Sequence, residues 1–268
     1  MRTVKLGIVA ASCVVLTGCL SSTTLLKVSA NGSGTIEQTM LVRTSALEMM
    51  AGMGGSENAP SMDRMFSDEQ FRTAAAGLGE GVRFVSAEHL QQGDMKGAKA
   101  VYAFDDITRL RLREGPQFPG LPGMAEAARE EPPFRFELSR SGGASVLTIR
   151  MPEPSKGEGG TPPEMPKEMP EQMPPEAMGM MKMMFQGMKV VVGVEVDGQI
   201  VKATGAPQDG SRVTLIEMNF DELLEQDGVF AKLQGQMGPG ASPAELQKAL
   251  AGVKGLKMAE PVVTIQWR

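Results

Sequence analysis

One histidine, one tryptophan, one tyrosine and two cysteines in 268 residues leave few of the side chains that catalysis usually recruits. A single histidine, His89, cannot supply an HExxH motif or a multi-His zinc site. It closes a predicted strand and reads as a structural or surface residue. No Gly-x-Ser-x-Gly elbow and no Walker A loop occurs in the chain. The stretch Gly77 to Gly81 lacks both the Gly-x-Gly-x-x-Gly spacing and a preceding strand, so it reads as a helix end followed by a loop. No cofactor motif stands out. The net charge is −5, which gives no electrostatic footprint for nucleic acid. Long apolar runs are missing too. The nearest is Leu6 to Leu16, interrupted by Ser12 and Cys13, and a bilayer crossing needs about 20 apolar residues.

That short run has a different use. Arg2 and Lys5 precede it as a basic flank, and together they have the layout of a signal peptide. Leu16-Thr17-Gly18-Cys19 then resembles the lipobox of bacterial lipoproteins. The resemblance implies cleavage before Cys19, diacylation of its thiol and acylation of the new amine. Anchoring follows from the arithmetic of burial. Each CH₂ contributes about 0.8 kcal/mol, so one chain holds marginally and two hold stably. Cys13 leaves with residues 1–18 and Cys19 is capped by lipid, so neither a disulfide nor a thiolate site remains. The mature charge becomes −7, because Arg2 and Lys5 are lost. Leu20, rather than Asp, follows the Cys; by the enterobacterial sorting pattern this favours the outer membrane. Residues 19–24 are then expected to be a lipidated tether.

What the chain does contain is methionine, 22 of them, and 18 prolines, against an aromatic content of 4%. Paired strand-like runs recur. Leu25–Ala30 and Thr35–Thr44 flank Asn31-Gly32, a hairpin signal because both residues accept positive φ. Val82–Glu88 and Ala98–Phe104 flank a polar loop, Gln91–Gly97. Phe134–Ser139 and Ser145–Met151 flank Ser141-Gly142-Gly143. Lys189–Val196 and Gln199–Ala203 flank Asp197-Gly198, and Arg212–Met218 and Val262–Trp267 complete the set. Helices are predicted over Ala46–Met53, from the Ser67-Asp68-Glu69-Gln70 box to about Ala76, over Ala177–Met188, over Asp221–Leu233, and from the Ser242-Pro243 cap to about Val253. Hairpins with segregated helices imply an α+β fold, a mainly antiparallel sheet with helices on one face. Residues 25–151 form an N-terminal α+β part, and 177–268 form a C-terminal part completing the same sheet. Between them, 152–176 holds eight prolines and no apolar period, an extended linker.

The stretches "NGSGTIEQTMLV", "GVRFVSAEHLQQGDMKGAKAVYAFDDITRLRL" and "VVVGVEVDGQIVKATGAPQDGSRVTLIEMNFDELL" resemble segments of bacterial lipoproteins of uncharacterised activity. These share the lipobox, an early Asn-Gly-Ser-Gly hairpin, a Tyr-x-Phe-x-Asp strand end and a late Val-Thr-Leu hairpin. The likeness covers the mature chain except for the proline-rich segment. A more distant likeness runs to the lipoprotein M domain of mycobacteria, a module implicated in glycolipid handling. Neither resemblance implies a catalytic residue.

Two chemistries remain open on the residues themselves. Asp105 and Asp106 are adjacent in a strand end, where they would face opposite sides, so capping the next turn suits them better than sharing a proton. A hydrolase would need two or three carboxylates converging in a cleft, and no stretch selects them. Met165, Met169 and Met173 recur every four residues and could offer soft thioether ligands to Cu(I). Equally, Met181, Met184 and Met188 lie at the spacing of a helix core face, and exposed methionine also makes an adaptable partner surface. The composition therefore favours a non-enzymatic module anchored to the membrane through Cys19, binding lipid, peptidoglycan or an envelope protein.

Overall fold

The computed structural model describes residues 20–45, 62–113, 133–141, 143–152, 187–226 and 252–268. Strand β1 (Leu20–Val28) turns into β2 (Gly34–Arg43), and the two pair antiparallel along their whole length, Leu20 with Val42 and Val28 with Gly34. The turn between them is longer than a two-residue hairpin loop. Ser29 N donates to Ser33 O at 2.9 Å, and the Asn31 side chain accepts from Ser33 N and Oγ at 3.0 and 2.7 Å. Only Gly32 takes positive φ, at 88°, so Asn31 serves as an Asx cap rather than as a left-handed residue.

A short helix, α1 (Met62–Met65), leads into α2 (Asp68–Leu78). Ser67 caps α2 by accepting from Gln70 N at 3.4 Å, and Asp68 and Glu69 complement the helix dipole in the first turn. The helix stops at Gly79, whose φ of 141° and contact with the Arg109 backbone suit no other residue. Next come β3 (Arg83–Gln92) and β4 (Met95–Phe104), paired from Arg83 with Ala103 to Gln92 with Met95. The polar stretch 91–97, expected as a loop, is mostly strand, and the turn is Gly93-Asp94 with Gly93 at φ 62°. Its polarity reflects exposure: β3 is an edge strand and only Phe84, Ala87 and Leu90 are even half-buried along it.

Strands β5 (Arg135–Ser141) and β6 (Ala144–Arg150) form a third hairpin. Then follow β7 (Lys189–Val196), β8 (Ile200–Thr204), the two-residue β9 (Gln208–Asp209), β10 (Arg212–Asn219), the short helix α3 (Phe220–Leu224), β11 (Leu256–Met258) and β12 (Val262–Trp267). The strands make two sheets. One has eight strands in the order β11-β10-β7-β1-β2-β4-β3, with β9 on β10; the other has four, β5-β6-β12-β8. Every pairing is antiparallel except β1 with β7, which run parallel from Ser21–Lys189 to Val28–Val196. The fold is α+β and mainly antiparallel.

Three further sequence readings change. Asp197-Gly198 does not turn a hairpin. It carries the chain from β7 in the large sheet to β8 in the small one, where Gln199 exchanges backbone hydrogen bonds of 2.9 and 3.1 Å with Arg268. Gly198 has φ 145°, and a Cβ there would sit 2.8 Å from Arg268 O. The strands do not share one sheet: β5 and β6 pair with β12 and β8, separate from the sheet that holds β1 to β4. Finally, residues 20–24, read as tether, belong to β1, laddered on both sides. Threonine's branched side chain suits a half-buried sheet, so Ser21 to Thr24 looks polar without being a loop.

One core joins both sheets. Leu26, Val28, Ile36, Tyr102, Phe104, Val192, Val194 and Val213 from the large sheet meet Phe136, Leu147, Ile149, Val263, Ile265 and Trp267 from the small one. Helix α2 adds Phe71, Ala75 and Leu78, with Phe71 stacked on Phe84 at 5.9 Å. The predicted helices at 46–53 and 177–188, most of 221–233 and 244–253, and the linker lie wholly or largely outside the described residues.

Candidate functional site

Register alone defines two opposite ends of the eight-stranded sheet. At one end stand Leu20, paired with Val42; Ser21, beside Lys189; Lys96, beside Val42; and Gln92, beside Met95. Cys19 itself precedes the described residues, but it is bonded to Leu20, the first residue of an interior strand. Several charges here are in ion pairs. Arg43 Nε, screened from water, lies 2.8 Å from Asp94 Oδ2, close enough for an ion pair though poorly angled for a hydrogen bond. Glu217 lies between Lys257 at 2.8 Å and Lys189 at 3.7 Å. The Lys257 ammonium, hydrogen-bonded to it, holds Glu217 below the usual carboxylate range, and Glu217 in turn raises Lys257.

At the other end a cleft of about 480 Å³ opens where β1, β2, β7 and the start of β10 come together. Its walls are Lys27, Ser29, Thr35, Glu195, Asp197 and Ser211, with Val28, Val196, Gly34 and Gly198 behind them. The volume suits a small ligand, but no aromatic ring lines it and it opens to solvent, unlike the apolar enclosure an acyl chain requires. Asp197 N donates to Val28 O at 2.9 Å and ties the rim together. Two of the cleft's charged side chains are engaged across the sheet: Lys27 with Glu37 at 2.6 Å, and Glu195 with Arg212 at 2.9 Å. Glu37 also accepts from Lys99 at 2.9 Å, and these two lysines hold its carboxyl below the ordinary value near 4.5.

The remaining sequence candidates separate. Asp105 pairs with Arg83 at 2.9 Å, while Asp106 accepts from Thr108 N and Oγ1 at 2.9 and 2.7 Å and caps the 3₁₀ turn Ile107–Arg109. The Thr108 hydroxyl and amide hold Asp106 below its usual range. His89 is exposed on β3, opposite Ala98. Met165, Met169 and Met173 lie outside the described residues. Among the described residues, no three His, Cys, Asp or Glu side chains converge as a metal site, and no helix is long and apolar enough to cross a membrane. The large exposed apolar side chains among them are Val85, Val201, Met258 and Val262, with Val85 and Val201 on edge strands of different sheets. Sequence reasoning missed the cleft, because its walls come from strands whose partners, such as Val28 and Val196, are 168 residues apart, joined by a parallel pairing that no local signal announces.

No family model and no curated protein matches the chain. One solved structure, the NMR structure of the folded domain of LppM from Mycobacterium tuberculosis, aligns with 93% of this chain and 90% of its own, at 9% identity and a TM-score of 0.34. An overlap that loose carries no statement about site or activity.

Proposed function

We propose that this protein is a bacterial lipoprotein held through acylated Cys19, acting in the cell envelope as a non-enzymatic binding or bracing module. One observation carries the reading: the lipobox-like Leu16–Cys19 ends at the residue before an interior strand of the fold. A folded domain therefore begins where the anchor would be attached. Among the described residues, the carboxylates with displaced pKa values, Glu37, Asp106 and Glu217, are all pushed down by lysines or hydroxyl and amide donors. A carboxylate acid catalyst needs the opposite displacement. The open cleft, walled in part by Lys27, Glu195 and Asp197, suits a polar segment of an envelope partner better than an acyl chain. Leu20 after the Cys favours the outer membrane.

The test is intact-mass analysis and membrane fractionation of the wild-type protein and Cys19→Ala. Wild type should lose residues 1–18, gain the mass of two or three acyl chains and sediment with outer-membrane fractions. Cys19→Ala should accumulate as an uncleaved, unacylated precursor. A C19A protein that is still cleaved and acylated would overturn the reading.

A further inference from the structure

We infer that the end of the eight-stranded sheet bearing Leu20, Gln92 and Lys189 lies against the lipid headgroups, and that the cleft end is held upright away from the bilayer. The inference rests on the anchoring reading above and adds to it an orientation and a contact surface.

The argument is geometric. Consecutive Cα atoms are about 3.8 Å apart, so a lipid on Cys19 leaves a single peptide unit between the anchor and Leu20. Leu20 is not a loose terminus. It pairs with Val42, and from Ser21 onward β1 is laddered on both sides, by β2 and by parallel β7. Paying out slack would mean unzipping both ladders of an interior strand at once and uncovering Ser22, which is only 8% exposed. Cys19 therefore holds the sheet end close to the surface. The cleft end is displaced along β1 by eight residue steps, about 26 Å at roughly 3.3 Å each. That exceeds the headgroup layer, about 5–8 Å on each side of the hydrocarbon. With the sheet standing on its Leu20 end, the cleft clears the surface.

Charge does not provide the attraction. Lys189 and Lys257 share Glu217 and Arg43 is turned to Asp94, so among these cations, with Lys96 beside them, carboxylates interrupt what would otherwise be a basic patch. The contact is imposed by the covalent bond and should be insensitive to salt, unlike electrostatic adsorption to anionic lipid.

The experiment uses the full, acylated chain reconstituted into phosphatidylethanolamine/phosphatidylglycerol vesicles containing a headgroup-nitroxide lipid. Cys13 leaves with the signal and Cys19 is acylated, so an introduced cysteine is the sole free thiol. An NBD fluorophore is attached in Gln92→Cys, at the membrane end, or in Ala30→Cys, at the cleft end; both native side chains are exposed. Quenching at position 92 should exceed that at position 30 at least threefold and survive 0.5 M NaCl. A third protein carries 12 Gly/Ser residues between Cys19 and Leu20, a coil spanning about 19 Å. It should still float with vesicles while the difference collapses. Equal quenching at both positions in floating protein without the insertion overturns the orientation and leaves the anchor standing. A difference that persists with the insertion, or vanishes in salt, overturns the covalent cause. Failure of the acylated protein to float at all overturns the anchoring reading itself.

Discussion

Glu37 shows how single side chains on the outer face of the large sheet set its response to acid. Its side chain is 19% exposed and accepts from Lys27 and Lys99, which depress its pKa. A depressed carboxylate adds stability above the unfolded value, near 4.5, and that contribution is lost as pH falls through the lower folded value. Because both lysines are partly in water, the effect is about 0.5–1 kcal/mol. Glu37→Gln should therefore lower the urea midpoint at pH 7, and the difference should be smaller at about pH 3. A difference of equal size at both pH values would mean that the carboxylate's charge is not the cause. Trp267 poses a different residue-level question. It is fully buried, and its Nε1 has no hydrogen-bond partner among the described residues. A buried donor left unmade costs about 1–3 kcal/mol, which partly offsets what the indole gains by packing. Trp267→Phe should accordingly change stability by under about 1 kcal/mol, whereas Trp267→Ala should cost about 3–5 kcal/mol. Thermal unfolding followed by circular dichroism measures both. If Phe proved as damaging as Ala, the indole N–H would have a partner after all.

Between elements, glycines separate tolerant positions from intolerant ones. Gly97 of β4 faces Leu41 in the ladder, and a Cβ there would run into the Met40 carbonyl oxygen and lie 3.0 Å from Leu41 Cα. Gly77 of α2 has nothing within 4 Å of the same built atom. Gly97→Ala should cost about 1–3 kcal/mol by overpacking, while Gly77→Ala should add about 0.5–1 kcal/mol of helix propensity. Opposite shifts in melting temperature are expected; shifts of the same sign would refute the steric account. At this scale the sequence was a good guide to local signals and a poor guide to pairing. Asn31-Gly32 and Ser141–Gly143 mark hairpins because turn and strands are contiguous. Asp197-Gly198 carries the same signal and yet links two sheets, since β7 finds β1 and β10, and β8 finds β12, through contacts no local window contains. The edge strand β3 was partly hidden by its polarity. It also bulges between Phe84 and Ser86, placing Val85 57% exposed, a kink that discourages edge-to-edge pairing. Of the candidate site, the proposed anchor at Cys19 rests on consecutive residues, Leu16 to Cys19, whereas the cleft draws on strands far apart in the chain. That Ser21 to Thr24 form strand was not legible, because a polar stretch after a lipobox reads as a spacer until its two neighbours are known.

At the scale of the whole molecule, the two halves of the chain cannot be told apart as folding units. Residues 20–152 supply β1 to β6 and residues 187–268 supply β7 to β12, and each sheet draws on both. Without the second half, β1 would lose its partner on one side, and β6 would lose β12, the strand that brings Val263, Ile265 and Trp267 into the core. Without the first, β7 would expose the edge that β1 covers, and β12 would keep only β8. Neither fragment can close the shared core, so covalent continuity through the proline-rich segment should be dispensable once the protein has folded. A specific protease site inserted between Gly159 and Gly160 tests this. After cleavage, the two pieces should co-elute in size-exclusion chromatography at the intact volume, and Trp267, the sole tryptophan, should keep the blue-shifted emission of a buried indole. Denaturing and separating the pieces should leave each unfolded by circular dichroism, and mixing them should restore the signal. Separation of the nicked pieces under native conditions, each retaining its strands, would instead make the molecule two domains, with the parallel β1–β7 ladder too weak to count as part of the core.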